Sequence, residues 1–311
     1  MTVDNHAEES PAGDRRGLKG PAPDPAVRRR IVDTHVHVWE QRRPWMAWLD
    51  ERPASWDPVR DDFSWSRLRT ELDDAGVSDL VLVQAGTSTE ETRLLLELAK
   101  REQSIIGVVG WVGMSSPGTT ENDLAAISEA GGKLVGVRSL HRWQPDGEIL
   151  ADPRVVDSCR ILTDRGLTID LFVNDHTELP LLLPIIEAVP DGRYVINHLG
   201  RPPVGQDATA QRLWSLAMTR LAALADVYVK FSGWGTVVQR ATAADVARYA
   251  EHVFATFGPA RTMYASNWPV ALVAADYRDT FAATLEALSG LSPTELDDVL
   301  GGTARACYLA K

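Results

Sequence analysis

Eight short runs rich in Val, Ile and Leu recur along the chain, most of them separated by one amphipathic helical pattern. Such alternation implies parallel strands, because each crossover helix must cover the sheet it returns to. The eight units fill about 280 residues, the size of a closed barrel. Together these observations predict an α/β chain folded as a single (β/α)8 barrel of the TIM type. An open doubly wound sheet is the structural alternative, but no Gly-x-Gly-x-x-Gly follows an early strand to support its dinucleotide-binding form.

The first strand is predicted over Ile31–Trp39, where β-branched residues surround two histidines. Side chains in a strand alternate with period two, so His35 and His37 point to the same side. Two imidazoles aimed into one space can hold a metal or move a proton. The segment Glu40–Ser64 follows, punctuated by Pro44, Pro53 and Pro58 and carrying Trp45, Trp48 and Trp56. Its prolines forbid a long helix, so it is expected to be a loop with short helical turns, packed down as a lid.

From Trp65 the pattern is regular. Helices are predicted over 65–75, 90–102, 121–131, 153–165, 179–188, 208–225 and 242–257, with more to the C-terminus. The strands between them are predicted over 79–84, 105–112, 134–138, 167–173, 194–198, 227–232 and 262–267. Residues 1–29 mix Pro, Gly, Ala and charges of both signs without an apolar core, and read as a disordered tail before a barrel spanning 30–311.

Composition narrows the function. With 44% hydrophobic and 24% charged residues the 311-residue chain has the balance of a soluble globular protein. Its formal net charge of −11 argues against nucleic acid, whose phosphates need a basic face. No apolar run approaches the ~20 residues that span a bilayer. The two cysteines, Cys159 and Cys307, are too few and too distant for a disulfide framework and suit a reducing cytoplasm. A small molecule, anionic or polyhydroxylated, is the expected partner, and nothing in the sequence points to a particular oligomeric state.

In a barrel of this type the site lies at the C-terminal ends of the strands. Those ends carry, in order, His35, His37 and Trp39; Gln84; Trp111; Arg138 with His141 and Trp143; Asp170, Asp175 and His176; His198; Lys230 with Trp234; and Asn267 with Trp268. Five of the seven histidines gather there. Arg138 and Lys230 end apolar strands, where an unpaired charge is costly, so each must face a carboxylate or an anionic ligand.

These residues resemble the amidohydrolase superfamily, specifically its amidohydrolase-2 branch of sugar-acid and dicarboxylate lactonases. The resemblance covers residues 31–309. It is carried by Asp33-Thr34-His35-Val36-His37-Val38-Trp39, Pro44-Trp45, Val83-Gln84-Ala85, Glu91-Thr92 and Gly107-Val108-Val109-Gly110-Trp111-Val112. It continues in Gly136-Val137-Arg138, Gly166-Leu167 with Asp170-Leu171, Asn197-His198-Leu199-Gly200-Arg201-Pro202, Lys230-Phe231-Ser232-Gly233 and Ser266-Asn267-Trp268-Pro269-Val270.

The resemblance implies a hydrolase that opens a lactone or, less often, cleaves a C–N bond. It also implies that His35, His37 and His198 bind one divalent metal, Zn²⁺ above others, with an aspartate at position 267 as fourth ligand and proton acceptor. Here residue 267 is Asn, which cannot take a proton as a general base. Some lactonases of this branch that resemble the chain are thought to work without metal, so metal-independent catalysis stands beside the zinc reading. The base is sought in Asp170, Asp175 or His176 at the end of the fifth strand, or in His198 itself if no metal is present. Arg138, Lys230, Gln84, Trp39 and Trp268 are expected to hold the substrate. A decarboxylase or other lyase acting on a small organic acid, and a non-catalytic binding barrel, are the alternatives.

Overall fold

The computed structural model describes residues 30–138, 152–224, 226–233 and 243–310. The expected tail, His141, Trp143 and Trp234 lie outside them. Eight parallel strands pair in sequence order: β1 (Val32–Val36), β2 (Asp79–Val83), β3 (Ile105–Gly110), β4 (Leu134–Val137), β5 (Thr168–Leu171), β6 (Tyr194–Ile196), β7 (Val227–Phe231) and β8 (Thr262–Tyr264). The barrel closes just past β8. Val36 bridges Trp268, the His37 amide donates to Trp268 O at 2.8 Å, and the Asn267 amide donates to His35 O at 2.9 Å. Closure therefore brings Asn267 beside the histidine pair of β1.

Helices cover the outside: α1 (Trp65–Ala75), α2 (Thr89–Arg101), α3 (Pro117–Ser128), α4 (Pro153–Asp164), α5 (Leu183–Ala188), α6 (Ala208–Ala222), α7 (Ala243–Thr256), α8 (Tyr277–Ala287), α9 (Pro293–Asp297) and α10 (Thr303–Leu309). Their starts follow from capping. Ser64, Ser88, Ser116, Asp152, Asp207, Asp276 and Ser292 each accept a backbone amide of the first turn. The helix expected over 121–131 begins earlier, because Ser116 caps it and Pro117 supplies a fixed φ at its first position. The helix expected over 179–188 is two pieces, a 3₁₀ stretch His176–Leu182 containing Pro180 and then α5.

Two apolar layers result. The large one lies between strands and helices. The small one fills the barrel, where Val32, Val81, Val83, Val109, Val195 and Met263 meet Ala304, Cys307 and Tyr308 of α10. The C-terminal helix thus plugs the barrel from within, and both cysteines are buried free thiols. No helix of the described residues is long and apolar enough to cross a membrane.

The Trp-rich segment after β1 is clasped at its neck. Trp39 and Phe63 exchange backbone hydrogen bonds of 3.0 and 2.8 Å, and Trp39 Nε1 donates to Asp61 O at 2.9 Å. Two 3₁₀ turns, Pro44–Leu49 and Ala54–Val59, lay Trp48 and Trp56 over the barrel mouth. The backbone of Trp45 approaches Gly86 so closely that a Cβ there would sit 2.3 Å from its carbonyl oxygen. Gly86 is the seat on which the lid rests.

Candidate active site

The ladders of several strands stop short of their predicted ends, and the polar residues occupy the overhang. After β6 the chain turns through a left-handed stretch in which His198, Leu199 and Arg201 have φ of 53°, 53° and 55°. Each such non-glycine residue costs about 1–2 kcal/mol, so the conformation must be held from outside. Trp214 Nε1 donates to Leu199 O at 2.8 Å, and Gly233 packs against His198, where a Cβ would come within 2.5 Å of the histidine's own. The turn aims His198 into the barrel mouth. Asn267 adopts the same left-handed region with φ of 62°, which Asn tolerates better than most residues.

His35, His37 and His198 meet there. The ring centroids of His35 lie 4.9 Å from those of His37 and 4.4 Å from those of His198. His37 Nδ1 donates to Val83 O at 2.7 Å, which leaves Nε2 without a proton in the neutral ring. His198 Nδ1 pairs with Ser232 Oγ at 2.8 Å. His35 is enclosed by cations: Arg138 Nη1 donates to its Nε2 at 3.1 Å, and Lys230 Nζ stands 3.4 Å from Nδ1. Burial, reinforced by these positive neighbours, pushes His35 and His198 well below the usual histidine range and His37 down to about 3. All three imidazoles are neutral at physiological pH.

Arg138 is clamped by Gln84. Its Nη2 donates to Gln84 O, and Gln84 Nε2 returns a bond of 2.7 Å to Arg138 O. Lys230 is fully buried and ion-paired with Asp170 at 2.7 Å. The remaining capacity of Asp170 is taken by Tyr308 Oη at 3.1 and 3.2 Å, Asn197 Nδ2 at 3.1 Å and Thr168 Oγ1 at 3.3 Å. Beneath the histidines therefore lies a closed ionic layer, in which the barrel plug itself takes part.

Above it opens a cavity of about 190 Å³, lined by His37, Arg138, His198 and Asn267 at its inner end. Toward solvent it is lined by Trp48, Arg52, Trp56, Phe172, Asn174 and Arg201. Several expected site residues are elsewhere. Asp170 and Lys230 sit in the layer below, spent on each other. Gln84 is turned onto Arg138. Trp39 and Trp268 are buried in the aromatic packing around Phe63, with ring centroids 5.5 and 5.2 Å from it. His176 is buried off the cavity, its Nδ1 3.2 Å from Asp175, which caps its own turn through Thr177 N. Conversely, Arg52 and Arg201 line the cavity although sequence reasoning gave neither a role. Arg201 stood inside a quoted motif, and Arg52 lay between the lid tryptophans.

The donor set does not fit a resident divalent cation as it stands. His198 turns its Nε2 to the cavity and His37 shares its own with the Asn267 side chain, but Arg138 holds that of His35. A metal there would face a guanidinium, no carboxylate stands in the shell, and Asn267 replaces the expected one. Among the described residues no group of three or more His, Cys, Asp or Glu is arranged to hold an ion.

Comparison with known proteins accords with this architecture. The model of the amidohydrolase family Amidohydro_2 matches residues 32–309. The chain belongs to this amidohydrolase family. It is 31% identical over 293 residues to an L-fucono-1,5-lactonase of Burkholderia multivorans, covering 89% of this chain and 95% of that one. It is also 31% identical over 302 residues to an L-rhamnono-gamma-lactonase of Scheffersomyces stipitis, covering 79% and 87%. A crystal structure of a Burkholderia multivorans amidohydrolase with bound zinc superposes with a TM-score of 0.82 at 28% identity, over 91% of this chain and all of that one.

Two stability measurements probe the buried charges. Lys230→Met leaves the Asp170 carboxylate unpaired and should cost about 3–5 kcal/mol in chemical denaturation. The double change Lys230→Met with Asp170→Leu should recover much of that loss. A double variant no more stable than the single one would refute the pairing argument.

The second follows from proton linkage. Below pH 6.5 the unfolded histidines bind protons that the folded ones refuse, so stability falls as pH falls, by up to ~1.4 kcal/mol per pH unit for each histidine. For His37 this continues to its folded value of about 3. Glu91 acts oppositely. Its carboxyl, raised by burial to about 7, is protonated in the folded protein while the unfolded one stays ionised, offsetting about one histidine. Urea midpoints should therefore drop between pH 7.5 and 5.5. A flat or rising trend would contradict the neutral triad.

Proposed function

We propose that the protein is a hydrolase that opens the lactone of a small sugar acid. The observation that carries this reading is the inner end of the cavity, where two imidazoles, each anchored through Nδ1, and one clamped guanidinium converge on the same space. The named activities of the fuconolactonase and rhamnonolactonase relatives support it.

In this reading Arg138 donates to the lactone carbonyl oxygen. Its guanidinium, lowered by burial only to about 10, keeps its charge at neutral pH and stabilises the oxyanion that forms as water attacks. His198 is the base. Ser232 fixes its ring through Nδ1, and Nε2 takes a proton from the attacking water. The depressed basicity of His198 in the empty site is relieved as negative charge develops beside it. The ring C–O bond then breaks, and the same Nε2–H returns the proton to the leaving alkoxide, giving a hydroxy acid. Asn267 and His37, whose side chains hydrogen-bond each other, position the water. Asp170 is not the base, because Lys230, Tyr308, Asn197 and Thr168 occupy its oxygens. The Trp48–Trp56 lid shields the reacting carbonyl from bulk solvent.

Zinc, which the Burkholderia relative's structure holds, would enter here only by displacing Arg138 from His35, and no step of this scheme uses it. Two tests bear on the reading. His198→Ala should lower kcat/KM on an aldonolactone by roughly 10²–10⁴-fold, the usual worth of general-base catalysis. Retained activity would sink the assignment. Dialysis against a strong chelator should leave turnover unchanged, with zinc content well below one per chain by elemental analysis. Loss of activity restored by zinc would overturn the metal-free scheme.

A further inference from the structure

The cavity has a second cationic end whose charges the hydrolytic scheme does not use. Arg52, from the lid, and Arg201, from the turn after β6, both line it. Neither forms an ion pair among the described residues. Arg52 donates no side-chain hydrogen bond there; its Nε is buried without a partner, and its guanidinium lies 5.5 and 5.0 Å from the rings of Trp48 and Trp56. Among the described residues Arg201 donates through Nε alone, to Asn174 O at 3.1 Å, and its terminal nitrogens make no hydrogen bond there.

The nearby carboxylates are already engaged. Asp175 accepts from Thr177 N at 2.9 Å and Glu178 from Asn174 N at 2.8 Å. Elsewhere on the surface this chain pairs its arginines with acids, as in Arg43–Glu40, Arg60–Asp57, Arg67–Asp61 and Arg160–Asp157. Asp175 and Glu178 attract Arg201 through space without pairing with it. Two partly buried guanidiniums that share a cavity, repel one another and have no ion-paired acid among the described residues make a fork for an anionic oxygen group. The aromatic faces of Trp48, Trp56 and Phe172 keep that fork rigid and partly dry, which strengthens it.

We infer that Arg52 and Arg201 form an anion subsite, and that the preferred lactone carries a second anionic group remote from its ring carbonyl. This inference rests on the lactonase reading. The shared chemistry is a carboxylate, as in the monolactone of a sugar diacid, or a phosphate ester. A neutral aldonolactone would fill the inner end and leave both guanidiniums unpaired. Specificity would then differ from that of relatives named for fucono- and rhamnonolactone, and the difference would reside in the lid and the β6 turn.

The test uses the full chain. Calorimetry compares binding of an open-chain hexarate and the matching hexonate, independently of turnover. Proton release then gives kcat/KM for a neutral aldonolactone, a hexaric monolactone and an aldonolactone phosphate. The wild type should bind the hexarate roughly tenfold or more tightly than the hexonate, the worth of a charge-assisted hydrogen bond. It should also favour one anionic lactone over the neutral one by a similar factor, and whichever is preferred identifies the group.

Arg52→Gln and Arg201→Gln should each bring these ratios toward one, while Arg52→Lys keeps part of the preference. Equal binding of hexarate and hexonate, or variants that weaken both alike, would overturn the subsite. Opening of the neutral lactone alongside that result would leave the lactonase reading intact. Failure to open any lactone, with the binding preference retained, would instead overturn the lactonase reading.

Discussion

The buried Lys230–Asp170 pair sets the electrostatics of everything above it. An ammonium and a carboxylate with no exposed surface survive in the barrel because each is saturated by further polar contacts. Tyr308 supplies one of these from the C-terminal helix. This layer spends the Asp170 carboxylate, and it leaves a cation 3.4 Å from His35. With Arg138 on the other side of the same ring, no histidine nearby can hold a proton cheaply. The neutrality of the three imidazoles comes first from their burial, and is reinforced by Lys230 from the floor and Arg138 from the cavity wall.

The mouth is shaped by two backbone devices that act on that floor. Barrel closure through residues 267–268 fixes Asn267 against the first strand, and the left-handed turn after β6 swings His198 in from the far side. Both put a polar side chain where the ladder has ended, since a residue still in register would point along the pleat. Strain at these positions is tolerated because Gly233, Trp214 and the lid pack around them. Pre-organisation of this kind is worth more to a transition state than the strain costs the fold.

Much of this was legible in the residues. Period-two spacing placed His35 and His37 on one side, and the order of apolar runs gave all eight strands. The strand ends were overestimated at 84, 112, 198 and 267, because the extended pattern runs on without a Gly or Pro break while the backbone has already left the ladder. The fate of each polar residue was harder to read. Asp170, Lys230 and Arg138 all end strands of similar composition, yet two pair beneath the site and one reaches it. That difference depends on Tyr308, more than a hundred residues away, and on the Gln84 clamp, neither of which leaves a local pattern. Arg52 and Arg201 escaped notice for a related reason. A lone arginine in a loop looks like a solvated surface residue until the fold puts a second one across the same cavity.

Asn267 ties these threads together. A carboxylate at that position would bring a negative charge into the mouth, favour a divalent ion between the histidines, and draw Arg138 toward itself. The amide does none of this. It keeps the hydrogen-bonding shape of the site while leaving its charge wholly positive, with Arg138 inside and Arg52 and Arg201 outside. The protein as a whole carries a formal charge of −11, so this cationic mouth is a local inversion of its field. Such a local field attracts anions and opposes cations. The same substitution that removes the resemblance's expected base and metal ligand is thus consistent with the proposed reading, an oxyanion at one end of the cavity and an anionic substituent at the other.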